Sequence, residues 1–484
     1  MINRSLKRGK GRMTTYVGLF FLLFLVGCGE DRTYEYYAIT VNDRWIDTQM
    51  RNIYLWAEDI PKESSLDYFD DRISFFQSLL STTCLNGKGD TYSFADTLNS
   101  VTNELTPELT YGFEFISYTP TASPNQRMAR VSFVAHNSPA EEAGLKRGDW
   151  ITTVDGENLS SSNLSSLYNG EGITVTTSTM KVNADGDTEF TTVGEHTLAA
   201  ATEPEQNPLF KSAVFTKWNK KIAYLVYTHF ETGVSYDAED KTYTAALTSA
   251  MADFKAAGVT DFVLDLRYTN TGYLTVANQM AGLLAPASAT GQVFCTLTYN
   301  ATISNKNSSY LIREGGAVSE NIDLSHLYIL VSSDTAAAAE ALISGLEPYM
   351  EVVLLGTKTK GVPVATTTIT NPDDPLVLIH PVVAYVHNAT GKDDYIDGIS
   401  PTYLLDETQI AEAYYSLGDE QEYLLRNALS LITDGVLIDT VTATSTAAAS
   451  PALTRVFTSG NGSGVNAKMS LQRKTIKGIP LGYE

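Results

Sequence analysis

Between residues 220 and 356 the chain alternates apolar runs of strand length with longer segments of helical period, and this pattern most limits the folds open to it. Residues 222–227, 262–267, 327–331 and 352–356 are short and almost continuously apolar. Such runs read as strands buried on both faces. Residues 243–257, 274–284 and 336–349 carry the helical period between them. Strand, helix, strand in this order implies an α/β domain with a largely parallel sheet, because parallel neighbours need a crossover of helical length.

Upstream the texture changes. Residues 42–61 read as an amphipathic helix, with Trp45, Met50, Tyr54, Leu55 and Trp56 near helical spacing and Pro61 as its stop. A second short helix is expected through Ile73, Phe75, Phe76, Leu79 and Leu80. From about Pro107 the pattern becomes strands and turns, with residues 111–115 and 129–135 alternating. Then comes Ser138-Pro139-Ala140-Glu141-Glu142-Ala143-Gly144-Leu145-Lys146-Arg147-Gly148-Asp149-Trp150-Ile151, followed by Val154-Asp155-Gly156. Ser138 and Pro139 suit the start of a short helix. Gly144 and Gly148 supply positive φ, and Asp155-Gly156 is a hairpin turn. This stretch resembles a bacterial PDZ domain. That resemblance implies a groove taking an extended peptide by strand addition, with N–H groups near Tyr111, Gly112 and Phe113 holding its carboxylate.

The N-terminus reads as an export signal. Five basic residues up to Arg12 precede the apolar run 17–26, which is too short to span a bilayer comfortably. Leu25-Val26-Gly27-Cys28 looks like a bacterial lipobox, so Cys28 is expected to carry lipid and hold the chain to the membrane. Gly29-Glu30-Asp31 resembles the acidic surface-export signal of some Gram-negative lipoproteins. The expected location is the bacterial cell envelope, as an outer-membrane lipoprotein facing the periplasm or the surface. With the lipobox cysteine used, Cys84 and Cys295 remain. An oxidising envelope permits a disulfide between them, but two buried thiols are the expectation. The formal charge of -22 repels phosphate backbones, so nucleic acid is excluded as a partner. The six histidines lack metal-ligand spacing, and neither a metal nor a cofactor is expected.

The order of helical segment, PDZ domain and α/β core resembles the C-terminal processing (tail-specific) peptidases, serine endopeptidases with a Ser–Lys dyad. Residues 221–227 look like that family's first core strand, and Asp265-Leu266-Arg267-Tyr268 like its Asp-Leu-Arg strand end. Residues 395–401 are similar to its Gly-x-x-Pro-Asp turn, with Thr402 in place of the Asp. Leu417-Gly418-Asp419 before residues 424–429 resembles its closing helix. The resemblance implies a mixed-sheet core of the ClpP/crotonase type with an inserted PDZ domain. The chain then divides into a signal peptide (1–27), a tether (28–41), a helical segment (42–104), a PDZ domain (105–205), a peptidase-like core (206–435) and a flexible tail (436–484).

The family presents its nucleophile in Thr-Ala-Ser-Ala-Ser-Glu at a helix start, where free N–H groups and a positive dipole end suit an oxyanion. Here that segment is Thr335-Ala336-Ala337-Ala338-Ala339-Glu340. Ala337 stands at the nucleophile position. The family's lysine base falls on Val362, after Gly356-Thr357-Lys358-Thr359-Lys360-Gly361. The Asn-x-Gly-Gly that helps form its oxyanion hole is reduced to Thr269-Asn270-Thr271-Gly272, leaving Thr271 and Gly272 as a remnant. Glu340 is retained and reads as a helix-face carboxylate. The resemblance therefore implies a proteolytically inactive chain that binds peptides or protein C-termini. Two alternatives stand beside it: an active endopeptidase with the displaced dyad Ser333 and Lys358, and a structural subunit of an envelope complex.

Overall fold

The computed structural model describes residues 33–100, 109–120, 123, 125–168, 170–182, 188–205, 207–234, 240–313, 318–410, 414–438, 453–458 and 479–481. The expected signal peptide and Cys28 lie outside the described residues. Helix α1 spans Thr33–Ile53, so it takes in residues that the sequence assigned to a tether. The extension has a local cause. The Arg44 guanidinium lies over the rings of Tyr36 and Tyr37, and donates to Thr40 Oγ1 and Tyr36 OH. Nor does α1 run to Pro61. After Ile53 the Leu55 N–H donates to Val382 O at 2.9 Å, and this long-range bond draws the chain out of the helix. Helix α2 (Arg72–Ser78) follows, its N-terminus capped by Asp71, which accepts from the N–H groups of Ile73 and Ser74. Strand β1 (Phe94–Thr97) ends the helical segment.

The second unit is a sheet with its own core. It comprises β2 (Phe113–Pro120), β3 (Met128–Val134), the single turn α3 (Pro139–Glu142), β4 (Trp150–Val154), β5 (Glu157–Asn158), β6 (Ile173–Val182) and β7 (Thr188–Leu198). Ser138 caps α3 by accepting from Glu141 N–H. Tyr111, Phe113, Phe115, Val131, Leu145, Ile151 and Val175 fill the interior. Gly112, at φ +85°, is required where it stands: a Cβ would meet the Ser138 side chain at 2.0 Å.

The core begins with β8 (Leu209–Lys217) and β9 (Lys220–Tyr227), then α4 (Thr242–Ala256), β10 (Asp261–Asp265) and α5 (Leu274–Leu284). Next come β11 (Val293–Tyr299), β12 (Ser308–Leu311), β13 (His326–Val331), α6 (Ala338–Leu346) and β14 (Glu351–Gly356). The remainder is β15 (Val364–Thr366), β16 (Ile369–Asn371), β17 (Asp374–His380), β18 (Val382–Asn388), β19 (Tyr403–Leu404) and α7 (Tyr423–Asp434). The main sheet has the order β19-β14-β13-β10-β9-β8. All its pairings are parallel except β8 on β9. The sheet is covered on both sides, as the continuous apolar runs require. Ala223, Leu225 and Tyr227 face the helices α4, α5 and α6. Ile222, Tyr224 and Val226 face α7, through Leu424, Leu425, Ala428 and Leu429.

A second sheet, β12-β11-β18-β15, packs beyond α6, and β17 pairs β1 with β16 on its other side. The expected mixed α/β core with a PDZ domain and an N-terminal helical segment is the fold observed. The tail differs from a loose segment at two places. Strand β20 (Leu453–Thr458) pairs with β2, and β21 (Ile479–Pro480) pairs with β15. Among the described residues no helix is long and apolar enough to cross a membrane. Cys84 and Cys295 are both buried and free, so no disulfide links them.

Candidate functional site

The C-terminal ends of β10, β13 and β14 converge on the turn before α6. Thr335 is fully buried there, and its hydroxyl donates to Leu266 O at 2.9 Å while accepting from Ser332 N–H. Ala336 N–H donates to Thr269 O at 2.9 Å. These bonds pin the segment to the end of the Asp265-Leu266-Arg267 strand and leave Ala337 at the helix N-cap. Ala337 has φ 54° and ψ -117°, a conformation that costs a residue with a Cβ about 1–3 kcal/mol. The side chain held at this strained turn is a methyl group, and it is buried in the apolar core.

Glu340 is not the helix-face carboxylate that the sequence suggested. It is fully buried and turns inward, where its carboxylate accepts four hydrogen bonds. Ala337 N–H and Val362 N–H donate to Oε2 at 3.2 and 2.8 Å. Thr359 Oγ1 and Gly361 N–H donate to Oε1 at 2.5 and 2.7 Å. One carboxylate oxygen thus bonds both Ala337 and Val362, so their backbone nitrogens are no farther apart than two hydrogen-bond lengths. Burial raises the Glu340 pKa to about 7, against the four donors, which pull it down.

The loop carrying Val362 is fixed by three further hydrogen bonds. Thr359 N–H donates to Ile399 O at 3.1 Å, Ile399 N–H donates to Thr359 Oγ1 at 2.7 Å, and Tyr92 OH donates to Gly361 O at 2.7 Å. Gly361 (φ +96°) allows this approach, since a Cβ would meet Gly398 N and Ile396 O at 2.5 Å. Val362 itself is fully buried in the main apolar core.

The other expected residues lie as follows. Thr271 O accepts from Phe230 N–H at 3.0 Å, and Gly272 (φ +120°) crosses the Phe230 backbone so closely that a Cβ would come within 2.3 Å of it. Packing against Phe230 therefore accounts for that glycine. Ser333 lines a cavity with Ser132, Arg267 and Glu407, towards the PDZ domain. Lys358 is exposed, with its stem near Gly398. A lysine base has to be desolvated beside its hydroxyl, and this pair lacks that arrangement.

In the PDZ domain, Tyr111 and Phe113 are buried rather than presented to a ligand. Tyr111 N–H donates to Tyr168 O, and Gly112 N–H donates to Thr110 Oγ1, each at 3.2 Å. The expected carboxylate cradle has two of its three amides committed within the domain.

Sequence reasoning missed the seam between the PDZ domain and the core. Arg147, in the turn before β4, donates to Glu407 Oε2 at 2.5 Å, Glu422 Oε1 at 3.2 Å and Tyr268 OH at 2.6 Å. Arg267 donates to Asp265 Oδ2 at 2.6 Å, Glu407 Oε2 at 2.8 Å and Glu422 Oε1 at 2.7 Å. Both arginines are buried. Burial alone would lower the Arg267 pKa, but Asp265, Glu407 and Glu422 outweigh it and raise it well above the ordinary value. The matching effect holds Glu422 low: burial raises it, and Arg267 with Arg147 more than offset that. Asp265-Leu266-Arg267 gave part of the signal, but no local pattern pairs it with residues of another domain.

The model for peptidase family S41 matches residues 221–405, that for the peptidase S41 N-terminal domain matches 42–94, and a PDZ domain model matches 130–167. A carboxyl-terminal-processing protease of Picosynechococcus sp. is 24 % identical over 314 residues, covering 64 % of this chain and 68 % of that protein. One of Synechocystis sp. is 22 % identical over 319 residues, covering 65 % and 67 %. A solved structure from Bacteroides fragilis, named as an S41 protease, superposes with a TM-score of 0.71 at 34 % identity, covering 80 % of this chain and 96 % of that one. With the sheet order, the inserted PDZ domain and that extent of identity together, this chain belongs to peptidase family S41.

Proposed function

We propose that this chain is a non-proteolytic member of its family that binds extended peptide segments, held at the bacterial cell envelope by lipid on Cys28. The observation that carries the first part is the Glu340 carboxylate, whose single oxygen joins Ala337 to Val362. It supports the register in which a methyl group and an isopropyl group occupy the positions of nucleophile and base. Neither group can attack a carbonyl or accept a proton. Loss of the nucleophile in another serine protease costs about 10⁶ in kcat.

The peptide-binding part rests on β2, which would be the edge of its sheet but for β20 on the side away from β3. An edge strand offers a row of N–H and C=O groups to an extended partner. With the Tyr111 and Gly112 amides already engaged, strand addition along β2 supplies most of the binding to a peptide C-terminus.

The test is proteolysis of an unfolded protein substrate by the unsubstituted chain and by the double variant Ala337→Ser, Val362→Lys. No cleavage by the first and measurable cleavage by the second is the expected result. Cleavage by the unsubstituted chain that vanishes in Ser333→Ala would instead establish the displaced dyad of Ser333 and Lys358. Peptides with free and amidated C-termini should bind within about twofold of each other, and a tenfold preference for the free acid would restore carboxylate capture. Metabolic labelling with a fatty acid should mark the full chain and be lost in Cys28→Ala.

A further inference from the structure

Two sheets in this molecule end in a strand from the C-terminal tail. In the PDZ sheet the order is β20-β2-β3-β4-β6-β7, so β2 would be an open edge without β20. The pairing is antiparallel, with Leu453 opposite Pro120, Thr454 opposite Thr119, Arg455 opposite Tyr118, Phe457 opposite Ser117 and Thr458 opposite Ile116. Strand β20 therefore runs towards Phe113, the polarity that points a bound peptide's C-terminal side at the Tyr111–Gly112–Phe113 turn. In the second sheet the order is β12-β11-β18-β15-β21, and β15 would be the open edge. Ala365 pairs with Ile479 and Thr366 with Pro480, while Leu481 N–H donates to Thr366 O at 3.1 Å. Strand β15 begins two residues after Val362, so the tail closes the edge leading away from the altered site.

An open strand edge is a hazard, and covering it is enough to explain one such strand. Here one covered edge is that of β2, read above as the peptide site, and the other begins two residues after Val362. We infer that the tail is a built-in strand ligand: residues 453–458 occupy the peptide edge of β2, residues 479–481 cover β15, and an incoming extended peptide has to displace residues 453–458. A segment tethered in the same chain acts at an effective concentration of about a millimolar, so a free peptide of equal intrinsic affinity competes poorly. This inference rests on the reading of β2 as a peptide-binding edge.

The experiment uses the full chain and the double variant Thr454→Pro, Arg455→Pro. Successive N–H groups of a strand point to opposite sides, so one of the two prolines removes a ladder bond and both stiffen the backbone against pairing. The probe is a labelled synthetic peptide with the sequence of residues 451–460. Amide exchange over residues 116–119 should accelerate in the variant while exchange in β3 and β4 stays unchanged. The variant should bind the probe at least tenfold tighter than the unsubstituted chain. Equal, measurable affinity in the two proteins would overturn the inference and leave β2 as a peptide site. Absence of binding to both, with residues 116–119 exposed in the variant, would overturn it together with the peptide-binding reading.

Discussion

The turn at Ala337 is more fully buried than the seam at Arg147, and the two are built on opposite terms. At the seam two guanidinium groups meet Asp265, Glu407 and Glu422, and Arg147 also donates to the neutral oxygens of Tyr268, Ser132 and Tyr415. At the turn one carboxylate is satisfied by three backbone amides and a hydroxyl, and the residues it draws together end in hydrocarbon. The seam holds two domains in a fixed relation. The turn holds a local geometry, including the strained backbone of Ala337. Hydrogen bonds to the main chain fix the shape of this turn without drawing on the side chains of Ala337 or Val362.

Removing charge from the seam should have the largest effect. Arg267→Ala leaves Asp265 buried and takes from Glu407 and Glu422 one of their cations, and loss of one partner in a buried network costs about 3–5 kcal/mol. Equilibrium denaturation should register that loss, and a change below about 1 kcal/mol would mean that the seam is open in solution. Glu340→Ala strands four donors in a dry pocket and should cost about 3 kcal/mol in the same measurement. If Arg267→Ala proves the milder of the two, the ranking of ionic seam above neutral turn is wrong.

A pH series sharpens the contrast further. The Glu340 pKa is raised from 4.5 to about 7 in the folded chain. Its contribution is therefore complete below the unfolded value and lost as pH rises through the folded one. Between about pH 4.5 and 7.5 the unsubstituted chain should lose up to about 3 kcal/mol relative to Glu340→Gln. Parallel stability curves for the two proteins would show that the four donors, not burial, set the titration. The smallest effect has the opposite sign. Ala337→Gly relieves a positive φ and should stabilise the chain by about 1 kcal/mol. Destabilisation by that substitution would show the turn to be unstrained in solution.

Much of the fold is legible in the sequence because it is written at short range. Apolar runs of strand length and helical periods place β9, β10, β13, β14, α4 and α5 within a residue or two of their observed bounds. Ser138, Pro139, Gly144 and Gly148 specify their turn by backbone chemistry alone. The site was half legible. Spacing from Thr335 and Glu340 to Gly356 and Gly361 brings Ala337 and Val362 into one register, but Glu340 looks on its own helix like any surface carboxylate. Its role depends on Thr359, Gly361 and Val362 arriving from another loop.

By itself, then, the sequence determined the order of domains, the types of most elements, and the presence of methyl and isopropyl groups where a hydroxyl and an amine were expected. Tertiary structure alone decided that Glu340 turns inward, that Arg147 crosses to Glu407 and Glu422, and that the tail supplies β20 and β21. Periodicity records which face of an element avoids water. It does not record which distant backbone lies within hydrogen-bonding reach, and each of these three features consists of bonds between segments that meet only when the chain has folded.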